Sequence, residues 1–338
     1  MVYSVQYLRG FAALLVVISH VFTKINQLSG YSGDWFSVGP AGVDLFFIIS
    51  GFIMCKATER RSISPAAFMF ARAKRILPLY WILTFIALLI FMARPDLVNS
   101  SGGVTTVLHS FTLLPIGEKL LIQNGWTLSF EFLFYGLFAI SIAISFKERL
   151  RYTLAGLVLL ASAGLIFEPT SPELRFITST LLLEFAMGML AFLYLKHCSN
   201  FRLINGSIML LGLIGLYVLS EYYEALPRVV SFGLPMFAIF VGFVSFESSI
   251  EKYKNNRMLW PLKALGDSSY SLYLFHAFTL ALTAVIIRSL HLQHNIVTSS
   301  LLLMSAALVS GYVCYVFLEV PLSRLVNAGN RPVGAPAT

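Results

Sequence analysis

Long apolar stretches separated by short polar segments recur along the whole chain. Each stretch is close to the roughly 17–25 residues that a helix needs to cross a bilayer. A membrane barrel would instead show shorter segments that alternate with period two. We therefore predict an all-α, polytopic integral membrane protein with about ten transmembrane helices. The predicted spans are residues 6–23, 38–55, 76–93, 126–146, 152–168, 176–195, 203–219, 228–246, 270–290 and 299–319.

Lysine and arginine are distributed unevenly between these spans. If the N-terminus is cytoplasmic, the cytoplasmic loops and the C-terminal tail hold 17 of the 24 Lys and Arg residues, and the opposite side holds six. An excess of positive residues marks the cytoplasmic side of a membrane protein. We therefore predict that both termini are cytoplasmic. The net charge of +8 then reflects topology, and no nucleic-acid partner is expected.

Composition excludes several other classes of protein. Charged residues make up 12% of the chain, about half of the roughly 25% typical of soluble domains. The three cysteines are scattered, which argues against a disulfide framework and a zinc site, and no metal is expected. We divide the chain into a transmembrane domain, residues 1–325, and a flexible cytoplasmic tail rich in Pro, Gly and Ala, residues 326–338.

Seven ionisable residues fall within the predicted spans or at their ends. A charge in the bilayer core costs several kcal/mol, so such residues usually pair with each other or line a polar cavity. Seven of them indicate a polar interior. They are Arg9, His20, Asp44, Glu131, Glu184, His276 and Glu319.

Sequence position and orientation place most of these residues at two depths. Arg9 and His20 are eleven residues apart, which puts them within about 20° on one helix face and about 16 Å apart along it. Two polar depths are consistent with two substrates that approach from opposite sides of the membrane, and they are equally consistent with a transport path. The outer group is expected to hold His20, Asp44 and Glu131, and the inner group Arg9, His276, Arg72 and Arg75.

The residue types suggest chemistry at each depth. A neutral histidine near a carboxylate is the usual general base for a hydroxyl, which fits His20. The basic cluster from Arg72 to Arg75 suits phosphate groups, although an ordinary positive-inside loop explains the same residues. Trp126 begins a predicted span, so it suits either an interfacial position or stacking on a sugar ring.

Six motifs in this chain resemble those of the membrane-bound acyltransferase 3 family. The first is Arg9 followed after ten residues by His20, and the third contains Arg72 and Arg75 as an Arg-x-x-Arg pair. Any one motif is weak, but together they are specific and cover nearly the whole chain. The six are segments 7–13 with His20, 42–52, 72–81, 126–131 with Tyr135, 269–276, and 319–321.

This resemblance implies an enzyme of the bacterial inner membrane. Such an enzyme uses cytoplasmic acyl-CoA, usually acetyl-CoA, to O-acylate an extracytoplasmic carbohydrate. The resemblance also implies that His20 and Arg9 are essential and that Arg72 and Arg75 lie on the donor side. The extracytoplasmic hydrolase-like domain that some members carry is not expected, so acceptor handling would rest on the membrane part, its short outer loops or partner proteins.

We therefore predict a transmembrane O-acetyltransferase that modifies an exopolysaccharide or a lipid-linked oligosaccharide. Direct transfer is preferred to a transient acyl-His20. Two alternatives stay open, namely a transporter or flippase for a glycan or proton-coupled solute, and a structural partner in a polysaccharide assembly complex. The assigned roles are catalytic for His20, Arg9, Asp44 and Glu131, acyl-donor binding for Arg72, Arg75, Arg9 and His276, and acceptor binding for Trp126, Ser129 and Tyr135.

Overall fold

The computed structural model describes residues 2–30, 33, 36–60, 62–95, 104–114 and 119–328. Within these residues the chain is all-α, and the only β-type pairing is one isolated bridge between Thr105 and Lys119. Eight helices are long and apolar enough to cross a membrane, or nine if a pair bent by 51°, Val229–Ser245 and Glu247–Tyr253, forms one span. The prediction of an all-α polytopic membrane protein is confirmed.

We number the α-helices in chain order. Two five-residue π-helical segments, Val229–Gly233 and Tyr315–Glu319, directly precede the helices that begin at Leu234 and Val320, and two short 3₁₀ turns precede the helix that begins at Trp260. The helices are α1 Tyr3–Ser29, α2 Ala41–Ala57, α3 Pro65–Ala93, α4 Val107–Thr112, α5 Gly125–Ile144, α6 Arg149–Phe167, α7 Pro172–Ile177, α8 Leu182–Cys198, α9 Arg202–Ser220, α10 Leu234–Ser245, α11 Glu247–Ile250, α12 Trp260–Asp267, α13 Ser269–Ser289, α14 Ile296–Cys314 and α15 Val320–Ala328.

Each of the ten predicted spans falls on helical structure. Helix α2 has only 17 residues, which is near the lower limit of about 17 for a spanning helix. The count of ten crossings and the cytoplasmic position of both termini stay predictions. Helix α15 ends at Ala328, and the remainder of the predicted tail lies outside the described residues.

Helix α3 begins eleven residues before the predicted span, at Pro65. The Ser64 side chain accepts a hydrogen bond from the backbone N–H of Ala67 at 3.3 Å, and Pro65 occupies the first turn, where a missing N–H costs little. The extra turns carry charged residues, which an apolar search does not detect. As a result, Arg72 and Arg75 lie on a helix rather than in the loop to which the sequence assigned them.

Helix α2 occupies the centre of the bundle, packed against α1, α8 and α10. It crosses α8 with almost no space between the two backbones. A Cβ atom on Gly51 would lie 2.1 Å from the carbonyl oxygen of Phe185, and one on Gly188 would lie 2.0 Å from that of Ile48. Small residues permit such close contact between membrane helices.

Helices α1, α13 and α14 form a second apolar cluster beside this centre. Helices α1 and α12 meet where Gly10 faces Gly266, so closely that a Cβ on Gly10 would lie 2.9 Å from the Gly266 nitrogen. The first N–H groups of α1 are capped from a distant segment, because Tyr3 and Ser4 donate to the Glu247 carboxylate at 2.8 and 2.7 Å. These contacts fix the first half of α1 against α11 and α12, the two helices that precede α13.

Candidate active site

A cavity of about 390 Å³ opens among α1, α2, α3, α5 and α13. Three arginines line it, Arg9 from α1 and Arg72 and Arg75 from α3. Arg75 is exposed, whereas Arg9 and Arg72 are half-buried. The cavity also reaches Tyr273 on α13, whose ring centroid is 6.3 Å from that of His276. It therefore connects a basic, solvent-accessible region with the vicinity of a buried histidine.

Glu131 on α5 belongs to this basic cavity. Its carboxylate accepts hydrogen bonds from the Ser50 hydroxyl at 2.7 Å and from the Tyr135 hydroxyl. It also lies within electrostatic range of Arg9 and Arg72. Because carboxylates beside several arginines offset part of their charge, Glu131 is placed to hold the cavity's cations in position.

The opposite side of the arginine cluster is closed by α13 and by the π-helical segment before α15. The Ser271 hydroxyl donates to the Glu319 carboxylate at 2.5 Å, and Glu319 interacts electrostatically with Arg9 and Arg75. The Tyr270 hydroxyl donates to the Ile76 carbonyl oxygen at 2.7 Å, which ties α13 to α3.

One donor of the arginine cluster is unused. The Nε atom of Arg72 is buried and, within the described part of the chain, has no hydrogen-bond partner. A buried donor without a partner costs about 1–3 kcal/mol, more when it is charged, so such an atom usually meets a ligand or water. Arg72 thus offers a free N–H donor to any anionic group that enters the cavity.

His20 and His276 form a pair of stacked rings beyond Tyr273. The Nδ1 atom of His20 lies 2.7 Å from Nε2 of His276, and the ring centroids are 5.0 Å apart. The Nδ1 atom of His276 lies 2.8 Å from the carbonyl oxygen of Leu272. His276 is fully buried and His20 is half-buried, so His20 is the more accessible ring.

The expected grouping of His276 with Arg9 is wrong. The contact of Gly10 with Gly266, which lies on α12 directly before α13, sets the register of α1 against α13, and the His20–His276 contact further along shows that the two helices run in the same direction. His20 and His276 each lie ten residues beyond that contact, which brings the two rings to one level. Depths estimated span by span could not show this, because they assume that every helix starts at the same height.

The expected contact of His20 with a carboxylate is also wrong. Asp44 is fully buried, and its partner is Arg228, with Nη2 to Oδ2 at 2.8 Å and Nε to Oδ1 at 3.1 Å. Glu131 belongs to the arginine cavity, as described above. Among the described residues, neither carboxylate is hydrogen-bonded to His20.

Glu184 on α8 lies beside this ion pair and is fully buried. It interacts electrostatically with both Asp44 and Arg228. Apart from the neighbouring Asp44 carboxyl, no group within the described residues is a hydrogen-bond partner of its carboxyl oxygens. Two acidic side chains therefore lie within electrostatic range of one arginine in the interior of the bundle, and of the two only Asp44 is hydrogen-bonded to it.

Comparison with known proteins adds the family to this geometry. The sequence pattern of a family described as an acyltransferase domain matches residues 2–319, which is nearly the whole chain. The chain belongs to the acyltransferase 3 family. It is therefore an enzyme of the acyltransferase class, and the motif-based prediction of the family is confirmed.

Curated relatives extend this comparison. The acyltransferase is 32% identical to the exopolysaccharide production protein ExoZ of Rhizobium meliloti (strain 1021) over 313 residues, which cover 90% of this chain and 95% of ExoZ. It is 26% identical to the O-acetyltransferase OatA of Staphylococcus aureus (strain NCTC 8325 / PS 47) over 312 residues, which cover 80% of this chain and 49% of OatA. The chain thus aligns with about half of OatA. No solved structure matches this acyltransferase.

The three residues assigned to the acceptor lie in different surroundings in the acyltransferase. Trp126 is 37% exposed and packs edge-on against Phe47 and Phe130. Ser129 is buried, and within the described residues its hydroxyl has no partner. Tyr135 is buried against Glu131 in the arginine cavity. The structure therefore does not bring these three residues together.

A second cavity, of about 330 Å³, lies near the His20 end of α1. Ser19 and Asn26 from α1, Ser37 before α2 and Tyr223 after α9 contribute to its lining. The Oδ1 atom of Asn26 is buried and has no partner within the described residues. Hydroxyl, amide and aromatic side chains are the groups that commonly orient a polar ligand.

Sequence reasoning missed Arg228, which it counted only as an outer-loop cation. The residue is 184 positions from Asp44, so no local spacing connects them. One signal was available, because a buried aspartate in a membrane protein needs a cation and few outer arginines could supply it. Within the described residues, no group of three or more His, Cys, Asp or Glu side chains could hold a metal ion.

Proposed function

We propose that this acyltransferase moves an acetyl group from acetyl-CoA across the membrane to a hydroxyl of an extracytoplasmic saccharide. The observation that carries the proposal is the continuity of the polar interior. The arginine-lined cavity reaches Tyr273, and the ring of Tyr273 lies next to His276, the partner of His20. A donor bound by its phosphates at the arginines would extend its thioester toward the histidine pair.

The donor side is supported by charge and by the unused donor of Arg72. Arginine binds phosphate through several parallel N–H groups, and such charge-assisted bonds are about twice as strong as neutral ones. The exposed Arg75 marks the entrance, and the half-buried Arg9 and Arg72 lie further inside. We assign this cavity to acetyl-CoA and this side of the membrane to the cytoplasm, in agreement with the excess of positive residues there.

The acceptor side is supported by the relatives and by the second cavity. The two relatives described above are named for exopolysaccharide production and for O-acetyl transfer. The cavity lined by Ser19 and Asn26 opens at the His20 end, away from the arginines. We infer that an exopolysaccharide or lipid-linked glycan enters there, in a bacterial inner membrane and with polysaccharide assembly proteins nearby.

The reaction requires two proton transfers, one from the acceptor hydroxyl to His20 and one from His20 to the leaving thiolate. His20 takes the proton of the acceptor hydroxyl while the hydroxyl oxygen attacks the thioester carbonyl. The new C–O bond forms, the C–S bond breaks, and the thiolate of coenzyme A receives the proton from His20. The products are the acetyl ester and free coenzyme A, and no metal is needed for this balance.

The proposal predicts that His20→Ala abolishes acetyl transfer. Membranes with the wild-type protein or His20→Ala receive acetyl-CoA labelled in the acetyl group, and label in saccharide is measured. Because general base catalysis contributes about 10²–10⁴-fold, we expect the rate to fall by at least about 100-fold. His294→Ala, a change of an exposed histidine far along the chain, is the matched control and should retain full activity.

Two outcomes would contradict the proposal. An active His20→Ala variant would remove His20 from the role of general base. Uptake or flipping of a glycan by the wild-type protein, without any acetylated product from several candidate glycans and acyl donors, would favour a transporter.

A further inference from the structure

The two histidines and one carbonyl oxygen form a hydrogen-bonded chain with a single consistent arrangement of protons. The Nδ1 atom of His276 lies 2.8 Å from the Leu272 carbonyl oxygen, which can only accept. His276 Nδ1 therefore carries the hydrogen. A neutral imidazole has one N–H, so Nε2 of His276 holds a lone pair and accepts.

The same reasoning continues to His20. Its Nδ1 atom lies 2.7 Å from the accepting Nε2 of His276, so Nδ1 of His20 must donate. In the neutral His20 ring, Nε2 is then the atom without a hydrogen. This atom is the one available to remove a proton from a hydroxyl group.

We propose that His276 is a positioning residue that fixes the tautomer of His20, so that Nε2 of His20 is the general base. The inference rests on the proposed function, in which His20 takes the acceptor proton. When Nε2 gains that proton, the ring becomes an imidazolium and its Nδ1–H bond to His276 becomes charge-assisted, which strengthens it. When Nε2 passes the proton to the coenzyme A thiolate, the original tautomer returns.

The burial of His276 supports this positioning role and argues against direct contact of His276 with either substrate. His276 is fully buried, and both of its ring nitrogens are already engaged, one with Leu272 and the other with His20. It is also absent from the lining of the arginine cavity, which stops at Tyr273. His276 thus acts through His20, and this replaces the acyl-donor role that the sequence suggested for it.

Two variants of His276 distinguish tautomer control from simple packing. The amide oxygen of His276→Gln can reach the position of Nε2 and accept from His20, whereas the shorter side chain of His276→Asn can only replace Nδ1. We expect His276→Gln to keep most of the wild-type kcat. We expect His276→Asn to lose about 10–100-fold in kcat, the usual cost of removing an orienting partner, while KM for acetyl-CoA changes by less than about 2-fold.

Other results of this comparison would overturn the proposal. Equal kcat values for His276→Gln and His276→Asn would show that no acceptor is needed at this position. A raised KM for acetyl-CoA with unchanged kcat would show that His276 binds the donor instead.

A chemically fixed tautomer gives an independent test. Histidine methylated at Nδ1 is introduced at position 20 in the His276→Ala background, where the missing ring leaves room for the methyl group. Methylation leaves Nε2 as the only basic nitrogen, so we expect kcat to rise above that of His276→Ala alone. No rise would contradict tautomer control.

A spectroscopic readout decides the tautomer without any turnover. Nitrogen-15 spectra of the histidine-labelled wild-type protein in lipid nanodiscs distinguish protonated from unprotonated ring nitrogens, and the signals lost in His20→Asn identify residue 20. We expect a protonated Nδ1 and an unprotonated Nε2. The opposite pattern would overturn the inference even if acetyl transfer is confirmed, and an inactive wild-type protein with the expected pattern would instead overturn the proposed function.

Discussion

At the scale of single residues, the side chains of one basic cluster, residues 72–75, divide between two surroundings. Arg72 and Arg75 line the cavity, but Lys74 between them does not. The Lys74 ammonium donates to the Val326 carbonyl oxygen at 3.1 Å and lies 4.6 Å from the centroid of the Phe70 ring. Because successive residues of a helix point about 100° apart, neighbours in the sequence face different surroundings.

This division predicts different kinetics for two similar substitutions. Arg72→Ala should raise KM for acetyl-CoA about 10–100-fold, since a hydrogen bond to a charged group is worth about 1.5–3 kcal/mol. Lys74→Ala removes the same charge from the same helix and should change KM by less than about 2-fold. Initial rates over a range of acetyl-CoA concentrations measure both. Equal effects of the two changes would mean that only the overall charge of α3 matters.

The buried pair of Asp44 and Arg228 shows why the role of a residue can be assigned only with the tertiary structure in hand. Asp44 was assigned to catalysis because it was expected to lie at the depth of His20 and to orient or charge that histidine. In the structure its carboxylate holds Arg228, and Arg228 also donates to the Pro40 carbonyl oxygen at 3.0 Å. Breaking a buried ion pair leaves an uncompensated charge and costs about 3–5 kcal/mol, so a structural role alone would make Asp44 sensitive to substitution.

At the scale of helices, the crossing of α2 and α8 supports the site. Asp44 and Ser50 lie on α2, and Glu184 lies on α8, so the distance between these two helices sets where their polar side chains meet. The mutual approach of Gly51 and Gly188 leaves no space for a side chain. The glycines thus determine the geometry of the interior although they carry no functional group.

The crossing predicts that Gly51→Ala destabilises the protein. Its Cβ would lie 2.1 Å from the Phe185 carbonyl oxygen, so the helices must separate, at a cost of about 1–3 kcal/mol. Gly136→Ala on α5 is the control, because a Cβ there meets nothing within 4 Å and alanine favours a helix. Thermal unfolding in detergent should show a lower midpoint for Gly51→Ala and an equal or higher one for Gly136→Ala. A Gly51→Ala midpoint equal to that of the wild type would refute the argument.

At the scale of the whole molecule, the number of membrane crossings determines on which side of the membrane each terminus lies. An even number places both termini on one face of the membrane, and an odd number places them on opposite faces. The helices alone allow eight, nine or, with α2 included, ten crossings. The excess of positive residues on one side favours ten.

Ten crossings predict a specific pattern of surface labelling. Single cysteines replace Tyr222, Tyr253 or Thr338 in a chain without its three native cysteines, and Tyr222 and Tyr253 are exposed. A membrane-impermeant thiol reagent added to intact cells should label only position 222. Positions 253 and 338 should react after the membrane is permeabilised. Labelling of position 338 in intact cells would contradict the predicted topology.

The sequence alone determined the all-α membrane class, the family and the helical nature of all ten apolar stretches. These properties depend on local composition, because a bilayer requires about 20 apolar residues for each crossing. Arg9, Arg72 and Arg75 were also correctly grouped, since all three lie near the same predicted membrane face. The charged start of α3 was missed because it does not follow the apolar pattern.

Only the tertiary structure decided which polar side chains meet. His20 meets His276 because the contact between Gly10 on α1 and Gly266, directly before α13, sets the register of α1 against α13, and Asp44 pairs with Arg228 across 184 residues of chain. Such contacts depend on the relative heights and rotations of helices, which packing sets and which composition does not encode residue by residue. The sequence therefore singled out the candidate reactive side chains, and the packing of the helices determined their partners.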